Sequence, residues 1–183
     1  MTNVPDDVRE RLVSYLKHQA SKGTEDIKDA VREGHDGLVS VLDGISEEQA
    51  RFKPTEEVWT VIEVLQHAAT VKRGVAHLCA TLARGERYQS LGPEGEDPSA
   101  QDGITLMRFH SLAEARAATE SAHEDLMAFI DGLSPEANLD TRFKHFIFGA
   151  LNCQEWAVFQ RVHDGDHERQ IEQIKAAPGF PSA

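Results

Sequence analysis

The stretch NCQEWAVFQRVHDGDHERQIEQIKA, residues 152–176, decides the fold. At 100° per residue, Trp156, Phe159, Ile171 and Ile174 fall within an arc of about 120°, the width of a core-facing stripe on a helix. His163 and His167 lie at the centre of that stripe. Asn152 and Glu155 stand three apart, as the start of a capped helix requires, and Pro178 follows the end. Four residues separate the two histidines, so they sit one turn apart on the same face, within reach of one ion. Two adjacent core layers filled by imidazole leave ring nitrogens in need of partners, at about 1–3 kcal/mol for each one unmet. A metal removes that penalty. Gly165 stands between them and costs about 1 kcal/mol against Ala in a helix interior, which suits a close approach by a ligand or another helix, or a simple packing gap.

Working outward, the same period recurs along the chain. Val4 to Gln19 forms a short amphipathic segment with Val8, Leu12 and Tyr15 on one side, before Ser21-Lys22-Gly23. Thr24 opens a helix to about Leu42, with Ile27, Val31, Leu38, Val41, Leu42 and Ile45 in one stripe. A connecting stretch, Ser46 to Trp59, precedes a capping box at Thr60 and Glu63. That box opens a helix through Val64, Leu65, Val71, Val75, Leu78 and Leu82, closed by Gly85 as the residue just past its end. Gly85 to Gly103 contains Gly92, Gly95, Pro93 and Pro98 and is too long for a hairpin, which predicts a crossover loop. Ser111 and Glu114 open a third long helix, striped by Leu112, Ala115, Thr119, Ala122, Leu126, Ile130 and Leu133. The expected fold is therefore all-α: a four-helix bundle with a long crossover between the second and third helices, plus a short N-terminal helix. Residues 1–23 form the N-terminal extension, 24–177 the bundle and 178–183 a tail.

The chain has 183 residues, enough for one compact core without disulfide staples. Its 31 acidic against 19 basic residues give a net charge of -12, which disfavours nucleic acid and anionic membrane surfaces as partners. No apolar run reaches the ~20 residues of a membrane helix, and the charged start MTNVPDDVRERL has no signal-peptide apolar region. The expected location is the cytoplasm. Cys79 and Cys153 form no metal or redox spacing. Cys79 reads as a buried thiol. Cys153, at a helix start, is either a thiol of depressed pKa or a half-buried small residue, the second being the commoner case.

A third ligand for His163 and His167 has to come from another helix. By periodicity His67, on the second helix, and His123, inside the stripe of the third, rank almost equally, with His35 at the edge of the first. Among nine histidines about 0.4 pairs at this spacing are expected by chance, so spacing alone does not carry the assignment.

The stretch Trp59-Thr60-Val61-Ile62-Glu63-Val64-Leu65-Gln66-His67 resembles the Trp-Ser-x-x-Glu-hydrophobic-Leu-x-His signature of the DinB-like superfamily. Glu155-Trp156, then His163-x-x-x-His167 and Gln170-Ile171, is similar to its second signature. The resemblance runs over about residues 24 to 176. It implies a bundle with the same crossover and a divalent ion, zinc or nickel, held by His67, His163 and His167. It also implies a homodimer, with support in the sequence from the N-terminal helix and the apolar cluster Phe143, Phe146, Ile147 and Phe148. The Asp164-Gly165-Asp166 insert is more acidic than the family pattern.

Three neutral imidazoles leave a bound ion its full charge and an open position, where water falls to a pKa of about 7 and a thiol is deprotonated. The expected function is metal-dependent hydrolysis of a small-molecule substrate by an activated water. Transfer of a low-molecular-weight thiol, used by some members of the superfamily, is the alternative, and a non-catalytic metal-binding or ligand-binding module a further one. Asp166, between the two ligands and towards one flank, is the candidate catalytic carboxylate, against the plainer reading of a solvated helix face. Glu155 is explained by its cap, and Trp59 and Trp156 read as core anchors.

Overall fold

The computed structural model describes residues 4–88 and 108–182. Six helices appear among them: α1 (Asp6–Ala20), α2 (Thr24–Ser40), α3 (Glu47–Ala50), α4 (Val61–Ala83), α5 (Leu112–Asp131) and α6 (Cys153–Lys175). The short strands β1 (Phe143–His145) and β2 (Gly149–Leu151) form an antiparallel hairpin, the one departure from helix among the described elements. No described helix is long and apolar enough to cross a membrane.

Local chemistry sets the helix ends. At α4 the Glu63 N–H donates to Thr60 Oγ1 at 3.1 Å, and the Thr60 N–H donates to Glu63 Oε2 at 2.7 Å. The same reciprocal pair joins Asn152 and Glu155 at 2.9 and 3.0 Å. At α5 only half the predicted box forms. Ser111 Oγ accepts from the Glu114 N–H, but Glu114 Oε2 accepts from the His110 N–H instead of its cap residue. A further box, Ser46 with Gln49, makes α3 out of a stretch that periodicity leaves as plain connection. Gly85 ends α4 as expected: at φ 75° it lets its own N–H reach Leu82 O and the Glu86 N–H reach Thr81 O.

Pairings between helices set their directions. Lys175 Nζ donates to Val41 O, and Arg161 pairs with Glu33, so α6 runs parallel to α2. Cys79 Sγ–H donates to Cys153 O at 3.1 Å, placing the end of α4 against the start of α6. The Leu112 N–H donates to Glu47 Oε2 and the Asn138 N–H to Ala83 O, so α4 and α5 are parallel. The four long helices are thus up, down, down, up. The end of α4 and the start of α5 lie at opposite ends of the bundle. The predicted crossover lies beyond Tyr88, outside the described residues.

Gly34 is where a side chain is excluded: a Cβ there would come within 2.9 Å of the Arg161 backbone, so its absence lets α2 and α6 close together. At Gly165 no neighbouring helix approaches; its space is bounded by the guanidinium groups of Arg161 and Arg169. The approach of another helix therefore does not account for that glycine. On α1 the buried residues are Leu16 and Ala20, with Leu12 and Val13 packed beside them, while Tyr15 faces outward. Of the cluster read as dimer support, Phe143, Ile147 and Phe148 pack into the protein's own core, and Phe146 alone stays 49% exposed.

The core divides into two apolar clusters. One holds Val71, Val75, Leu78, Leu126, Ile130 and Trp156; the other holds Leu38, Leu42, Leu65, Leu112, Ile171 and Ile174. Between them, all four long helices contribute to a polar layer. Lys72 and Asp164, both with side chains 0% exposed, stand 2.7 Å apart, as an ion pair whose angles are poor for a hydrogen bond. Lys72 Nζ also lies 3.3 Å from His35 Nδ1, and His35 Nε2 lies 3.0 Å from Glu120 Oε2. The His35 ring stacks on His123 with centroids 3.9 Å apart.

Removing one partner of a buried pair strands the other charge, whereas replacing both with apolar groups is close to neutral. Lys72→Met should therefore lower unfolding stability by about 3–5 kcal/mol, with most of it restored by adding Asp164→Leu, as read by urea denaturation. His123 supplies a pH test. Burial first, then His35 and Lys72, pushes its pKa down to about 3. Below about 6.5 the unfolded chain takes up a proton there that the native state refuses until about pH 3, so stability falls as pH falls through that window. His123→Phe should show a smaller loss of denaturation midpoint between pH 7 and 5 than the parent. A loss of equal size would exclude His123 as a source.

Candidate metal centre

The register of α4 against α6 brings three histidines to one point. His163 Nε2 lies 3.3 Å from His67 Nε2 and 3.2 Å from His167 Nε2. One ligating atom from each of the three falls within 4.8 Å of the others. His163 and His167 are buried and His67 is half-buried. His123, which periodicity alone ranks beside His67, is held away from this group by its stack on His35.

Proton bookkeeping shows what the cluster lacks. Gln170 Oε1 lies 2.9 Å from His167 Nδ1. An amide oxygen only accepts, so Nδ1 carries the proton and His167 Nε2 presents a lone pair. His163 Nε2 then faces two nitrogens, and one proton on it serves at most one of the two contacts well. A cation at the centre satisfies all three. Two of the three separations match such an ion: nitrogens about 2.0–2.1 Å from a tetrahedral metal stand about 3.3 Å from each other. The donor set and its geometry fit a divalent metal.

The electrostatics also favour lone pairs. Burial pushes the His67 pKa down to about 4, with His167 adding to the shift. Burial first, then the neighbouring histidines, holds His163 well below the usual range. His167 is lowered by burial, an effect partly opposed by its Gln170 bond. All three are therefore neutral at pH 7, as metal ligation requires.

A small cleft opens on this group, lined by His67 and His163 together with His145, Phe146, Phe148 and Phe159. Asp166 is on its wall and forms an ion pair with Arg169. Trp59 is not the core anchor the sequence suggests. It is 37% exposed, with its ring centroid 5.1 Å from that of His67. Trp156 is fully buried, as expected. Cys153 is buried too, and burial raises its thiol pKa, which removes the reactive-thiol reading. Arg142 lies 2.8 Å from Glu155, adding an ion pair to that cap.

Two residues in and beside the site are not picked out by sequence reasoning. Lys72 occupies the same heptad position as Leu65 and Cys79, a buried stripe, so periodicity does carry a signal for its burial. His145 lies in a short strand, where no helical spacing marks it.

The family model of the DinB superfamily matches residues 30–171. The uncharacterized protein YuaE of Bacillus subtilis (strain 168) is 24% identical over 144 residues, covering 73% of this chain and 88% of YuaE. The crystal structure of TT2238, a four-helix bundle protein, superposes with a TM-score of 0.59 at 19% identity, covering 82% of this chain and 98% of that one, which supports the fold. With most of its length matched by the family model, this chain belongs to the DinB superfamily.

Proposed function

We propose that the chain binds one divalent metal ion, zinc or nickel, through the Nε2 atoms of His67, His163 and His167, and that it is a metal-dependent hydrolase of a small organic substrate. The observation that carries this reading is the pair of Nε2 separations, 3.3 and 3.2 Å, between neutral imidazoles that lack the protons to satisfy one another. When bound, the ion acts as a Lewis acid that activates a water at its open position. His167 is oriented by Gln170, which fixes its tautomer and ring plane. Asp166, on the cleft wall, takes the proton from the nucleophile. Its bond to Arg169 holds the carboxylate in place. Phe146, Phe148 and Phe159 exclude water from the cleft and accept the apolar part of the substrate.

A second reading is transfer of a low-molecular-weight thiol at the same site. The apolar wall favours it, because an uncharged organic electrophile would lie against Phe148 and Phe159 beside the thiol. We take the location as cytoplasmic, a compartment in which a low-molecular-weight thiol stays reduced. Homodimer formation rests on the family alone, and light scattering at micromolar concentration checks it.

Elemental analysis of the purified protein should give about one equivalent of metal. His163→Ala should abolish it, and His123→Ala should leave it intact. Loss of metal in His123→Ala with retention in His163→Ala would overturn the ligand set. Chelator should lower the melting temperature, since a ligand bound only to the native state stabilises it.

Turnover separates the two chemistries. An ester and amide panel should be hydrolysed by metal-loaded protein with no added thiol, and Asp166→Asn should lower kcat by ~10²-fold or more. Turnover that needs added thiol would replace hydrolysis by thiol transfer. An intact metal site inactive with water and with every thiol would leave a binding module.

A further inference from the structure

The chain has two tryptophans, and the structure uses them in opposite ways. Trp156 is fully buried, and its Nε1–H donates to Phe143 O at 3.2 Å. That is the ordinary place of an indole, with the apolar body packed and the polar tip paired. Trp59 is 37% exposed. Among the described residues its Nε1–H has no acceptor, and its one ring neighbour is His67, with centroids 5.1 Å apart and planes tilted by 49°. A side chain that holds a core together is not placed in this way.

What fixes Trp59 is the start of α4. It immediately precedes the cap residue Thr60, whose reciprocal bonds with Glu63 anchor the backbone, and Glu63 is in turn paired with Lys53 at 3.2 Å. His67 follows two turns into the helix. Side chains on a helix lean towards its N-terminus, so the imidazole reaches back to the indole. A large flat ring is thereby held beside one of the three histidines with part of its surface open to solvent.

The cleft on the three-histidine group is small, and the buried Phe148 and Phe159 form part of its wall. The body of a substrate whose reacting end enters it therefore lies against what borders the opening, and on the His67 side that is Trp59. Burial alone accepts any hydrocarbon. An exposed indole face favours a flat one, because aromatic rings attract in offset or edge-on geometry beyond the area they bury. A cation is also drawn to an indole, but it would be repelled beside a centre that holds a divalent ion, which leaves a neutral ring.

We infer that Trp59 is the substrate-selecting residue of this centre, stacking on a neutral planar aromatic ring of the small molecule while its reacting end reaches His67, His163 and His167. The inference rests on the metal reading of those histidines and deepens it: the substrate class becomes an aryl compound whose ring is a short linker away from the reacting group.

The probes are hydroxamates, whose head group binds a divalent metal. Phenylacetohydroxamate carries a flat ring, cyclohexylacetohydroxamate a puckered ring with the same number of carbons, and acetohydroxamate no ring. Each is titrated by calorimetry into metal-loaded wild type, Trp59→Phe and Trp59→Leu, with metal content measured in parallel. Because Trp156 is the only other tryptophan, the emission lost in Trp59→Phe reports Trp59 itself, and acrylamide quenching reads how open that ring is.

Wild type should bind the phenyl probe about ten-fold more tightly than acetohydroxamate and about three-fold more tightly than the cyclohexyl probe. Trp59→Phe should keep that order, and Trp59→Leu should bind the two ringed probes equally. Both variants should retain about one equivalent of metal and the wild-type affinity for acetohydroxamate. The phenyl probe should shield the Trp59 emission from acrylamide. No binding of any probe by the loaded protein, equal affinity of wild type for the two ringed probes, an unchanged preference in Trp59→Leu, or emission still open to acrylamide at saturation would each overturn the inference with the metal site intact. Loss of acetohydroxamate binding in both variants, the mark of a structural role, would overturn it too. Failure to take up metal is a separate result, which removes the metal reading and this inference with it.

Discussion

The Lys72–Asp164 pair, 2.7 Å apart and without solvent contact, is the constraint around which the bundle is arranged. Removing two charges from water costs several kcal/mol for each, and their attraction offsets this only where further partners are supplied. His35 is one such partner, and through it the layer reaches Glu120 at the surface. These bonds require α2, α4, α5 and α6 to meet at one level. A slip of α4 or α6 by one turn would strand a charge. The apolar clusters on either side contribute most of the burial, but oily surfaces tolerate sliding, and the polar layer does not.

The three-histidine group lies in the same layer, and its chemistry follows from that position. Burial dominates the depressed pKa values of His67 and His163, ahead of the neighbouring imidazoles. An exposed trio would be partly protonated near neutral pH and would lose lone pairs to protons. Depth alone would leave the tautomers undetermined. Gln170, one turn along α6 from His167, removes that freedom by accepting from Nδ1.

The hairpin is the exception in a helical chain, and it completes the cleft. Phe143 and His145 alternate with Lys144, so one face turns to α6 and the other to solvent. Gly149, at φ 75°, permits the tight return. A helix in this place would present its side chains at a period of 3.6 and could not set two aromatic residues of the turn, Phe146 and Phe148, on either side of the His145 ring.

The helices were legible because each long one carries its period and its caps in consecutive residues. Every apolar residue that marks the stripe of α6 is buried, and the boxes at Thr60 and Asn152 form as written. His163 and His167 were legible as a pair for the same reason, since four residues on one helix fix their separation. The register between helices is a different matter. Periodicity on α4 and α5 left His67 and His123 equal, and only the packing of α4 against α6 brings His67 to within 3.3 Å of His163 while His123 stacks on His35. The exposure of Trp59, the burial of Cys153 and the place of His145 were decided at that level too. Local sequence determines which way a side chain points from its own backbone. What stands opposite it depends on contacts between segments far apart in the chain, which only the closed bundle supplies.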